Sequence, residues 1–185
     1  FYELTREHSL FYDRVIRDYF SSPDDGGIFK GAIYRPFSYK IGLANEDSLR
    51  EERLKEEENF QFVQQFNLYD FMRRLLVKRF ESSFGAFEQS IRNFEKITSI
   101  VCDFIEKTGK YILDRDLLLK IYTLDVDDIE RELEEYATKI KNGEYPKNHE
   151  IYVIDKFKDK DLFLEHIKSD KELFASILTE LENLN

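Results

Sequence analysis

Four basic residues, Arg73, Arg74, Lys78 and Arg79, fall between Asp70 and Glu81 with no acid among them, in a chain whose formal charge is −10. On a helix, Arg74 and Lys78 are four residues apart and share a face turned away from the neighbouring apolar stripe. There they can meet phosphates or an acidic partner. Arg73 projects beside the stripe itself and is expected to pair with a carboxylate across a packed interface. The competing reading is a solvated face whose charges are taken up by nearby acids.

Other chemistry is less well placed. His8, His149 and His166 are far apart in sequence, and none has a second His or Cys at ligand spacing, so they read as surface or capping histidines rather than metal ligands. Asp125, Asp127 and Asp128 suggest a calcium loop, but Glu130 stands where that loop requires glycine. They fit better as a helix cap and first-turn acids. Thr108, Gly109 and Lys110 lack the upstream glycine and the hydroxyl residue of a phosphate-binding loop and read as a helix stop. Cys102, the single cysteine, sits on or near an apolar stripe and reads as a small core residue. No metal site and no catalytic residue is expected in these 185 residues.

The elements that position these residues are expected to be helical. With 42% hydrophobic residues, 17 Phe and 11 Tyr, the chain can build a core, while 3 Pro and 7 Gly leave too few turns for an all-β fold. The longest periodic stretch starts near Phe60 and runs through Val63, Phe66, Met72, Leu76, Phe80, Phe84, Phe87, Ile91, Phe94, Thr98 and Val101 to Ile105. Unbroken, it would be on the order of 70 Å long, so a break is expected near Ser82, Ser83 and Gly85.

Ahead of it, Phe1 to Leu4 reads as an extended lead-in and Thr5 as an N-cap. Leu10, Phe11, Val15, Ile16, Tyr19 and Phe20 form a helical face that ends in the turn residues of Ser21 to Gly27. Residues 28–41 are equally consistent with extended structure and a short helix. Residues 45–58, with seven acids and three bases, read as a charged mobile loop that passes into the long helix. After Gly109, Asp114 and Asp125 can each cap a helix, and Asn142 and Gly143 end the second. Residues 151–154 allow a brief strand. Two closing helices follow, with Ser169 and Glu172 as a capping box at their junction. The expected fold is all-α: a single helical domain over residues 1–185, arranged around one long central helix. Because the sequence begins at Phe1 and its one methionine is Met72, a piece of a larger multidomain protein is expected. The lone cysteine and the lack of any long apolar run fit a cytoplasmic chain with no membrane partner.

Two segments carry a family resemblance. FYELTREHSLFYDRVI at the start and LYDFMRRLLVKRFESSFGAFEQSIRNF over residues 68–94 resemble a segment of bacterial Snf-type helicase-like proteins of superfamily two. His8 stands where those proteins are expected to carry Gln. The resemblance implies a noncatalytic helical insertion between the two RecA-like lobes of an ATP-dependent DNA helicase or translocase. The insertion would rest on those lobes through Arg73 and contact duplex DNA through Arg74, Lys78 and Arg79. ATP and Mg2+ would belong to the parent's lobes. The phosphate-binding loop, the acidic metal motif and the arginine fingers of such a motor are all absent from this sequence. The alternative is a freestanding acidic helical module that binds another protein.

Overall fold

The computed structural model describes residues 6–44, 55–120, 126–145 and 149–184. Among them are seven helices and one two-stranded sheet, a predominantly helical fold. Helix α1, Arg6–Asp13, continues into a widened π-helical turn, Arg14–Tyr19. After 3₁₀ turns at Pro23–Asp25 and Ala32–Tyr34 come the short α2, Pro36–Lys40, and the long α3, Glu56–Ser82, and α4, Phe84–Thr108. Strand β1, Lys110–Asp114, α5, Arg115–Lys120, α6, Val126–Lys141, and β2, His149–Val153, lead to α7, Lys160–Leu184. Helix α4 is the centre of the array, packed against α3, α6, β1 and α7.

The break in the long periodic stretch falls at Ser83. Its backbone is extended, at φ −168° and ψ 153°, and its hydroxyl accepts the Ala86 N–H at 3.0 Å to cap α4. Gly85 lies inside the first turn of α4. At the other end, Gly109 takes φ +69° and donates to the Ile105 carbonyl at 2.8 Å. The stripe itself needs one correction. Phe60 is 68% exposed, and α3 instead turns Phe62, Gln65, Leu68, Tyr69, Met72 and Phe80 inward. Gln65, a polar residue, holds a core position that an apolar-only pattern passes over.

Within residues 28–41 the helical parts are Ala32–Tyr34 and Pro36–Lys40, and Pro36 opens α2 where its missing N–H costs nothing. Residues 31–39 are all buried, so their backbone polar groups need partners other than water. Three elements supply them. The Asp170 carboxylate of α7 accepts the N–H groups of Lys30 and Gly31 at 2.8 and 2.7 Å. Gln65 of α3 accepts the Phe37 N–H at 2.8 Å, and the Tyr111 hydroxyl of β1 donates to the Ile33 carbonyl at 2.6 Å. Gly31 adopts φ +61°, and a Cβ there would lie 2.2 Å from the Tyr69 ring. The strap is thus clamped from three sides.

Strand β2 begins two residues before the expected run and pairs antiparallel with β1, Tyr111 opposite Tyr152. Strand β1 had no counterpart in the sequence reading. The Asp114 cap is present, its carboxylate accepting the Leu117 N–H at 3.1 Å. The two closing helices are a single helix, α7. Phe163, Ile167, Asp170, Phe174, Ile177 and Leu181 form one continuous inward face, and no Gly or Pro interrupts it, so Ser169 and Glu172 lie in mid-helix rather than at a junction. Glu56, Glu57 and Glu58 form the first turn of α3, while 45–54, Phe1 to Thr5 and Asp125 lie outside the described residues. No helix among the described residues is long and apolar enough to cross a membrane.

Candidate functional site

The four bases of α3 divide into two pairs. Arg74 and Lys78 are exposed, and the Arg74 side chain keeps 66% of its surface while its Nε lies 3.1 Å from Asp70. Arg73 is 13% exposed and committed within the chain. It meets Asp70 at 2.7 Å, one turn back on its own helix, and donates to the Phe20 carbonyl at 2.9 Å. The expected carboxylate across an interface is therefore a backbone carbonyl, with the carboxylate supplied locally at i−3. Arg79 is half-buried beside Phe80. Asp70 draws on both Arg73 and Arg74, leaving Lys78 as the base on that face without an ion pair among the described residues.

The remaining candidates are dispersed. His8 packs edge-on to Phe84 at 5.1 Å, and His149 opens β2 against the Tyr145 ring. Asp128 is engaged by Arg131 on its own helix. Cys102 is half-buried between α4 and α7, and burial pushes its thiol pKa up, away from nucleophilic use. It borders a groove of about 650 Å³ that Ile105, Leu164, Ile167 and Ala175 line, with Lys168 and Lys171 at the edge. No group of three or more His, Cys, Asp or Glu among the described residues is arranged to hold a metal ion.

A second basic site lies under the strap, away from the residues that the sequence pattern marks. Lys30, Arg35 and His166 line a pocket of about 200 Å³ with Gly26, Gly27 and Phe29. Arg35 is 5% exposed, stacks 4.5 Å over the Tyr69 ring and donates from Nε to the Lys30 carbonyl at 3.1 Å. His166 Nδ1 lies 2.8 Å from the Tyr39 hydroxyl. Burial first, then the charges of Lys30 and Arg35, lower the His166 pKa. The three residues are five and more than a hundred positions apart, so no local spacing marks them. The available signal was a charged residue, Arg35, inside a segment otherwise rich in Phe, Tyr and Ile.

No family model, no curated protein and no solved structure matches this chain.

Proposed function

We propose that this chain is a noncatalytic helical insertion of an ATP-dependent DNA-acting motor, resting on the motor lobes and offering Arg74 and Lys78 to duplex phosphates. The observation that carries the reading is where the two resembling segments meet. Phe11 from the first packs among Phe80, Phe84 and Phe87 from the second, with ring centroids 5.7, 6.2 and 6.5 Å away. Arg73 ties the second segment to Phe20, just beyond the first. Stretches some fifty residues apart in sequence thus form one packed unit, as parts of one inherited module would, and the exposed bases stand on it. ATP and Mg2+ act in the motor lobes in this reading. Their hydrolysis cycle supplies the motion that the insertion follows.

The test is duplex DNA binding by fluorescence anisotropy across a salt series, comparing the wild-type chain with Arg74→Ala/Lys78→Ala. Losing two phosphate contacts should weaken binding and reduce the slope of log K against log salt by about 2. Superimposable curves for the two proteins reject the contact. The second reading, a protein-interaction module, is favoured by the groove between α4 and α7. It predicts no salt-dependent DNA binding by either protein.

A further inference from the structure

We infer that the pocket under the strap is a binding site for a phosphate monoester or inorganic phosphate, independent of the basic face of α3. Arg35 is the anchor. Its Nε is held by the Lys30 carbonyl and its plane by Tyr69, so the guanidinium is fixed before any ligand arrives. Among the described residues its two terminal nitrogens meet no hydrogen-bond acceptor, although the residue is almost wholly buried. Those nitrogens are not among the enclosed polar atoms left without a partner, so they open into the pocket, where a guanidinium fork held in place matches an oxyanion. The Lys30 ammonium likewise has no ion pair among the described residues.

The neighbouring acids among the described residues, Asp170, Glu165 and Asp159, do not supply the missing partner. Both Asp170 oxygens are occupied by the Lys30 and Gly31 N–H groups, and Asp170 does not line the pocket. Glu165 and Asp159 act on His166 in the direction opposite to the two cations, and neither lines the pocket. His166 lines the same pocket, and where Tyr39 donates to Nδ1 the ring proton sits on Nε2 as a third donor. The held guanidinium of Arg35 and the Lys30 ammonium outweigh the buried Asp170 carboxyl that acts on Arg35, and so favour a dianion over a carboxylate. A volume of about 200 Å³ admits a phosphoryl group and excludes a nucleoside, since pockets for larger ligands start at roughly 300 Å³. A ligand's phosphate would enter and the rest of it would stay outside.

The experiment titrates inorganic phosphate into the full chain at constant ionic strength, following thermal unfolding and backbone amide NMR, with acetate as the control. Saturable stabilisation by phosphate, with shifts centred on Lys30, Arg35 and His166, is expected. Lys30→Gln and His166→Gln should each weaken it, Lys30→Gln by about tenfold, as loss of one charge-assisted contact implies. Arg74→Ala/Lys78→Ala should leave it unchanged, which separates this site from the DNA-binding reading. Equal response to acetate, shifts located elsewhere, or full affinity in Lys30→Gln would overturn the assignment. An oligonucleotide without terminal phosphates that displaces inorganic phosphate would overturn the choice of a monoester. The wild-type shifts decide the matter even where a variant fails to fold.

Discussion

Asp170 occupies a core position of α7, between Ile167 and Phe174, and is 4% exposed. Burial outweighs the donors around it and holds its carboxyl up at about 7, from an ordinary value of 3.8. Between those two values the folded protein retains a proton that the unfolded chain has released. The residue's contribution to stability is therefore fully present below about pH 3.8 and is lost as pH rises to about 7. The margin of wild type over Asp170→Asn, read from urea midpoints, should shrink across that window and level off above it. A margin that grows with pH would contradict the sign. In the sequence this carboxylate lies between Ser169 and Glu172, which read as a capping box at a junction between two helices. Gln65 in α3 raises the same difficulty. Each polar residue serves a strap distant in sequence, and helical periodicity does not reveal what a core position hydrogen-bonds.

Helix ends were legible where the chemistry is local. Ser83, Gly109, Asp114 and Gly143 each act through groups within a few residues, so the pattern of caps sufficed. Strand β1 was not legible, because its apolar run is three residues long and its partner lies about forty residues onward. Pairing of that kind is a property of two elements together. The α3–α4 break gives a direct check. Ser83→Ala removes the acceptor for Ala86 and should cost about 1 kcal/mol of stability. Gly85→Ala replaces an exposed helical glycine with nothing within 4 Å of the new methyl, and should stabilise by about 0.5–1 kcal/mol. Chemical denaturation measures both. Equal effects of the same sign would mean that the break is not built as described.

Seven of the large rings form a connected series that crosses the molecule. Phe11 touches Phe80, Phe80 touches Phe87, and Phe87 touches Phe20. From there the series passes through Phe29 to Phe174 of α7 and on to Phe94 of α4. The aromatic content foretold a core but not this order, which depends on α1 returning to the α3–α4 corner. Two devices hold α1 and its π-helical extension in place. One is polar: Glu180 of α7 accepts from Arg14 at 2.7 Å and from Tyr19 at 2.5 Å, and burial and that carboxylate push the Tyr19 hydroxyl pKa up to about 12. The other is the burial of Phe11, fully enclosed among the rings. Arg14 is 44% exposed, so its ion pair is worth about 0.5 kcal/mol, and the hydroxyl bond adds about 1 kcal/mol. Removing a buried Phe side chain costs about 3–5 kcal/mol. The rings should therefore dominate the attachment. Hydrogen exchange is expected to show Glu180→Ala loosening residues 6–19 about tenfold with α3, α4 and α7 protected as before, whereas Phe11→Ala lowers global stability. If Glu180→Ala proves the more damaging of the two, the N-terminal segment is held by its carboxylate clasp and not by the aromatic core.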